Sequence, residues 1–384
     1  MMDLARARRS LSLAAFLLAL AAVGSRLQAL QPPQFVPPPA PGGVTAAELA
    51  TPVIHDLPNP AASAHSVSLV DLGDGRLGAA WFAGSKEGAS DVSIVFSSFN
   101  GRQWTPPAPI VSNEKVEADE KRVNRKIGNP VLWRESPQRL HLWFVTVSYG
   151  GWAGSSLNHQ ISHDLGEHWE SAEKLVTSPF LNISTLLRSP PLQLTDGGFA
   201  LPVYHEFIAK HPEWLRLDAS GRVVDKQALG GARRQIQPTA VALDAEHGLL
   251  LTRDAGSGQH AVHLSRTADG GQSWSPLTGL DLPNPDASVA MTRLHDGRLL
   301  LAYNPINGGR HQLALALSTD GARWTPIHLL ESGQGEDEFS YPAVLQMPDG
   351  RIHVAYTWQR QHIRQQIFTP GLLDRLTAKA EKAP

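Results

Sequence analysis

His65–Phe82 reads HSVSLVDLGDGRLGAAWF: an apolar strand, an Asp-Gly turn and a second apolar strand. Such a dipeptide between alternating hydrophobics is a strong hairpin signal. The phrase returns five times, as IGNPVLWRESPQRLHLWFVTV (Ile127–Val147), LLRSPPLQLTDGGFALPVY (Leu186–Tyr204), QPTAVALDAEHGLLLTR (Gln237–Arg253), ASVAMTRLHDGRLLLAYN (Ala287–Asn304) and FSYPAVLQMPDGRIHVAYTW (Phe339–Trp358). The starts lie about 50 to 60 residues apart, the length of one four-stranded propeller blade. Six copies predict an all-β, six-bladed propeller. A closed ring would set the first residues of all six inner strands around one mouth.

A second phrase recurs between the hairpins: SHDLGEHW at Ser162–Trp169, TADGGQSW at Thr267–Trp274, and the shorter STDGARW at Ser318–Trp324 and SFNGRQW at Ser98–Trp104. These are Asp-boxes, S/T-x-D-x-G-x-x-W. The Asp or Asn side chain caps backbone N–H groups of a tight turn, Gly takes the left-handed position and Trp covers the turn. They staple outer hairpins and carry no chemistry. No box stands between Trp169 and Trp274, a span of about two blades, so one blade lacks it. After the sixth hairpin only the strand His362–Phe368 remains. Thr51–Leu57 (TPVIHDL) is the expected donor that pairs in the last blade and removes its open edge.

The boundaries follow. Residues 1–30 hold Arg6, Arg8 and Arg9 before a 14-residue apolar run, Leu11–Gly24. That is the pattern of a signal peptide or an N-terminal anchor. No Ala-x-Ala site follows it, since Ala29 is flanked by Gln28 and Leu30, so cleavage is left open. Residues 31–50 form a Pro-rich linker expected to hold the domain away from what precedes it. The propeller occupies 51–371, and 372–384 is a Lys/Ala-rich tail expected to form a frayed helix. A formal net charge of −2 gives no global basic field for nucleic acid or an anionic membrane. A membrane contact would come only through the N-terminal segment. The absence of cysteine removes disulfides and thiolate metal sites, and the histidines show no ligand spacing, so no metal or cofactor is expected.

Asp-boxes on six blades resemble the sialidase (neuraminidase) superfamily. The phrases WFAGSKEGASDVSIVFSS, GNPVL, LPVYHE, LPNPDAS and EFSYPAVLQMPDGRIHVAYTW resemble its bacterial BNR-repeat branch, over about residues 55–370. The resemblance implies a tyrosine nucleophile activated by a glutamate, an acid for the leaving oxygen and three arginines clamping a substrate carboxylate. Tyr341, opening the sixth inner strand, matches the nucleophile. Arg310 matches the third arginine and Arg253, ending the fourth hairpin, the second. The place of the first arginine holds His65, and the place of the glutamate holds Gln237. Glu87 and Asp91 are the nearest carboxylates to the acid's position.

His65 at a strand head could act as base or acid. Tyr204, His205 and Glu206 cluster at the end of the third hairpin, where Tyr204 and Glu206 are candidates to contact substrate, as is Asn129. Asn129, Asn284 and Asn304 all precede proline, which also suits a turn. Three functions stay open. One is an exported sialidase-like exo-glycosidase on an acidic glycan. The second is a uronate lyase using arginine, His65 and Tyr341. The third is a non-catalytic glycan-binding or assembly propeller.

Overall fold

The structure, a computed structural model, describes residue 17, residues 32–37 and residues 45–382. Apart from Leu17, the segment 1–30 read as signal or anchor lies outside the described residues. Among the described helices none is long and apolar enough to cross a membrane.

Six antiparallel sheets follow one another around an axis. Blade 1 comprises Ser63–Gly73, Arg76–Gly84, Ser93–Phe99 and Ala108–Val111; blade 2 comprises Lys126–Arg134, Leu140–Val147, Ser155–Ser162 and Glu173–Lys174. Blade 3 has a divided inner strand, Leu186–Leu187 and Leu192–Gln193, then Phe199–His205, His211–Leu217 and Val223–Ala228. Blade 4 runs Gln235–Ala242, His247–Asp254, Ala261–Ala268 and Thr278–Pro283; blade 5 runs Ala290–Arg293, Leu299–Tyr303, Gln312–Ser318 and Thr325–Ser332. Blade 6 supplies Phe339–Gln346, Ile352–Trp358 and His362–Phe368. Its fourth strand is Val53–Asp56, with Val53 opposite Ile367 and Asp56 opposite Arg364. The ring is thus latched by chain that precedes blade 1, and Arg364 Nε reinforces the latch at 2.7 Å from Asp56.

Each blade buries an apolar face against the next, the arrangement alternating strands require. Phe82 and Ile94 of blade 1 share a core with Leu132 and Phe144 of blade 2, and Trp143 of blade 2 shares one with Leu201 of blade 3. The Asp-boxes behave as their chemistry dictates. Asp164 Oδ1 accepts from His168 N at 2.8 Å and Trp169 Nε1 donates to Gly166 O at 3.1 Å. Gly166 has φ +102°, and a Cβ there would fall 2.8 Å from the Phe96 ring. Blade 3, which has no box, uses Asp218 in the same capping role toward Ser220 and Arg222.

Two terminal expectations are corrected. Residues 32–37 do not stand off the domain. Phe35 is fully buried, edge-on to Trp214 at 6.3 Å, and its N–H donates to Ala245 O. An aromatic side chain inside a polar, Pro-rich stretch gains more by filling an interblade gap than by staying hydrated. The tail does form the expected helix, Pro370–Ala380, but it is packed rather than frayed, with Leu372 and Leu373 in the core of blades 5 and 6.

The feature that positions the site is a bulge repeated at the strand heads. In blades 1, 2, 4 and 6 the inner strand gains one residue on its partner, between His65 and Ser68, Gly128 and Val131, Ile236 and Thr239, and Ser340 and Ala343. Within each bulge one residue takes the left-handed region: Ser66 (+60°), Asn129 (+48°), Gln237 (+51°) and Tyr341 (+51°). Proline follows three of the four, and a residue without N–H is tolerated where the ladder is already broken. The bulge turns these side chains toward their counterparts at the mouth, at a backbone cost of about 1–3 kcal/mol each.

Candidate active site

The strand heads are wired into one polar chain that visits all six blades. Thr357 Oγ1 in blade 6 accepts from Ser66 N at 3.1 Å, and Ser66 Oγ donates to Asn129 Oδ1 at 3.2 Å. Asn129 Nδ2 and Gln237 Nε2 both donate to the Tyr204 hydroxyl, at 3.3 and 3.4 Å. Gln237 Oε1 accepts from Arg253 Nη1 at 2.9 Å, and the same nitrogen reaches the Tyr341 hydroxyl at 3.4 Å. Arg253 Nε donates to Asp286 Oδ1, at the entrance of blade 5, at 2.6 Å.

Tyr341 sits at the focus of this chain, its ring partly exposed at the mouth. The guanidinium carbons of Arg310 and Arg188 each lie 5.6 Å from its ring centre, and the His65 ring lies at 4.3 Å. Burial works to raise the Tyr341 phenol, but Arg253 and Arg310 outweigh it, so the net shift is downward. Arg253 itself is held firmly protonated: burial opposes the charge, and Tyr341 and Asp286 more than restore it. Arg310 is fixed by Glu338 at 3.0 Å and by the Asp286 carbonyl at 2.9 Å. Glu338 also takes Arg360 Nε at 2.6 Å. Against the effect of burial, these contacts and the Ser340 hydroxyl hold its carboxyl down at about 2.

His65 is 1% exposed and neither ring nitrogen has a hydrogen-bond partner among the described residues. Burial first, and then the Arg360 charge, keep its pKa well below the ordinary histidine value, so the imidazole is neutral. Glu87 Oε2 lies 4.0 Å from His65 Nε2 but is gripped by Arg360 Nη1 at 2.5 Å. That grip commits the oxygen to a guanidinium. Glu206 is the contrasting case: burial raises its pKa, and neighbouring Lys210 and Arg253 only partly offset that.

The structure therefore brings together Tyr341, Arg253, Arg310, His65, Glu87 and Gln237, with Glu206 within the field of Arg253. Other candidates fall elsewhere. Asp91 accepts from Ser85 N and Oγ, both at 2.9 Å, and serves as a turn cap. Its short side chain, next to a loop N–H, is satisfied locally. Tyr204, 1% exposed, and Asn129, 8% exposed, form the floor beneath the mouth, with their polar ends committed to the chain. His205 stacks on His211, away from that floor. Asn284 closes a turn on Ala287, and Asn304 ties blade 5 to Phe339 O.

Four residues at the site escape a reading of strand heads alone: Arg188, Asp286, Glu338 and Arg360. Arg188 had a signal. Arg188-Ser189-Pro190 aligns with Gly128-Asn129-Pro130, Ile236-Gln237-Pro238 and Ser340-Tyr341-Pro342, which places it one residue before a head. Among the described residues no cluster of side chains is arranged to hold a metal ion.

A six-bladed Asp-box propeller with arginines converging on a strand-head tyrosine defines a propeller of the sialidase type. The sequence model of the BNR repeat-like domain matches residues 75–354, and the chain belongs to that family. Among solved structures it is similar to the Hadza microbial sialidase Hz136, with TM-score 0.66 and 16% identity, covering 81% of this chain and 66% of that one. It is also similar to a protein of unknown function from Dyadobacter fermentans (TM-score 0.68, 16% identity, 82% and 97% covered). A third is the intramolecular trans-sialidase from Ruminococcus gnavus, in complex with oseltamivir carboxylate (TM-score 0.65, 14% identity, 85% and 99% covered). This chain thus spans just under two thirds of the Hz136 chain. A search of curated proteins finds no match. At such identities the likeness is one of fold.

Proposed function

We propose that the protein is an exo-acting glycosidase that removes a terminal, carboxylate-bearing sugar from glycans outside the cytoplasm. The observation that carries this reading is the convergence of Arg253 and Arg310 on Tyr341, whose phenol is shifted toward the reactive phenolate. Each arginine is anchored along one edge by an acid, Asp286 or Glu338, which fixes the fork for a planar carboxylate. In a retaining reaction Tyr341, as the phenolate, attacks the anomeric carbon through Oη and the glycosidic C–O bond breaks. The leaving oxygen takes a proton from a protonated carboxyl, and water, giving its proton back to that group, later displaces the tyrosine. Glu206, pushed up by burial, fits the proton-donor role better than Glu87, which Arg360 holds. Export is supported by the basic residues and apolar run at the N-terminus. The test is a panel of fluorogenic glycosides of sialic and other acidic sugars. Release of fluorophore that Tyr341→Phe lowers by about 10³-fold or more supports the reading. No turnover on any member sinks it.

A second reading draws on His65, a neutral imidazole with both nitrogens unpartnered beside Tyr341. These are the parts a uronate lyase needs: an arginine for the carboxylate, a base for the adjacent C–H, and a tyrosine to protonate the leaving oxygen. A rise in ultraviolet absorbance from an unsaturated uronate, abolished by His65→Ala, would select it. Acidic-glycan binding with neither product would leave the non-catalytic propeller.

A further inference from the structure

Below the mouth, the propeller axis is hollow. A cavity of about 410 Å³ runs between the inner strands, bordered by Ser68, Trp133, Thr239, Met291 and Val344 among others. That is within the size range of sites for small organic ligands. None of His65, Arg253, Arg310 and Tyr341 lines it. Val36 and Pro37, from the docked N-terminal stretch, contribute to its lining.

Its roof is Arg188. This arginine reaches from blade 3 across the axis, and its Nη2 donates to the carbonyls of Tyr341 and Pro342 in blade 6, at 2.7 and 3.0 Å. It is 4% exposed, and its Nε has no partner among the described residues. Among the described residues no carboxylate pairs with it, so a buried cation rests on two neutral carbonyls and the face of the Tyr341 ring. The pKa is drawn down to about 10, chiefly by burial. A buried charge without a carboxylate partner is costly, and a ligand of opposite sign would offset that cost.

The walls point to the rest of that ligand. Their polar side chains are largely occupied: Ser68 Oγ by Leu132 N, Thr239 Oγ1 by Met291 N, and Gln346 by His295 N and the Gly350 carbonyl. What remains facing the space is mostly aliphatic. The lining includes Arg188, Arg293 and His295 and no aspartate or glutamate.

We infer that this axial cavity is a second binding site, separate from the mouth, for a small carboxylate with an unbranched or compact apolar body. The carboxylate seats on Arg188 and the apolar part lies between the inner strands. Because Arg188 also holds the Tyr341 backbone, the occupant acts on the mouth from beneath. The inference stands whether or not the mouth is catalytic.

Calorimetric titration of the full-length protein with octanoate and with octanol tests it. Saturable one-to-one binding of octanoate, at least about tenfold tighter than octanol, is expected. Arg188→Gln should weaken octanoate about tenfold or more. Thr292→Phe, at a half-buried lining residue outside the interblade cores, should abolish binding by filling the cavity, and Arg310→Gln should leave it unchanged. Should Arg188→Gln not fold, the last two variants still decide between cavity and mouth. Absence of saturable binding, equal binding of octanol, or loss with Arg310→Gln rather than Thr292→Phe overturns the proposal.

Discussion

Arg253 and Tyr341 meet from blades 4 and 6, with Nη1 of the arginine 3.4 Å from the phenol oxygen while its Nε is held by Asp286 at 2.6 Å. Asp286 therefore partly cancels the charge that depresses the Tyr341 phenol. Asp286→Asn keeps an oxygen for Arg253 Nε and removes the negative charge. The phenol should then titrate lower still, by up to about one pH unit. Ultraviolet difference titration, with Tyr341→Phe as the blank, measures this. An unchanged or higher value would show that Asp286 only positions the arginine.

Gln237 stands where the sialidase resemblance implies a glutamate, and its side chain bridges Arg253 and Tyr204. Its backbone is left-handed, a strain glutamine and glutamate share, so Gln237→Glu changes charge with little change of shape. The variant supplies a carboxylate to the Arg253 side of Tyr341 and gives up the donor to Tyr204. If a missing base limits a glycosidase, turnover of acidic glycosides should rise about tenfold or more. A fall would mean that the amide's donor to Tyr204 is what the site requires.

His353 is 1% exposed, bonded through Nδ1 to Gln365 Nε2 at 2.8 Å, and burial brings its pKa down to about 3. His159 is likewise brought to about 3 by burial, and then by the charge of His141. Both are neutral when folded, whereas the unfolded chain takes up protons near pH 6.5. Stability is therefore complete above that pH and falls as pH drops toward 3, by about 1.4 kcal/mol per unit for each group. His353→Gln should flatten the decline of Tm between pH 6.5 and 4. A variant whose Tm–pH curve runs parallel to the parent's would refute the assignment.

The fold was legible because each blade repeats a two-period strand pair, and six repeats average out local noise. The Asp-boxes and the donor strand Thr51–Leu57 were legible for the same reason, since each belongs to a fixed place in a blade. The site was less so. Tyr341, His65 and Gln237 announce themselves as strand heads, but Glu338, Arg360 and Asp286 sit in connections, where register with the other blades is lost. Arg188 was hidden by the Pro190-Pro191 pair, which divides the inner strand of blade 3 and widens the gap opposite Phe199–His205. Asp91 misled in the other direction: a carboxylate near the mouth in sequence was nearer still to Ser85. Composition could not distinguish a loose Pro-rich linker from one that docks through a single aromatic.

That aromatic carries the last test. Phe35 fills a gap between blades 3 and 4 against Trp214, Ala200 and Leu250, and Val36 beside it bonds to Gln193 O. Removing the ring should cost about 3 kcal/mol or more, the range for a buried Phe→Ala cavity. The loss is capped by the docking energy of residues 32–37, since the stretch can lift away while the blades remain paired. Phe35→Ala should therefore lower Tm by several degrees in scanning calorimetry and increase quenching of Trp214 fluorescence by acrylamide. If the strap lifts, the Val36 N–H that donates to Gln193 O should lose its protection from hydrogen exchange. An unchanged Tm with unchanged quenching would mean that Trp214 is covered by its own blades, and that the N-terminal stretch contributes nothing to stability.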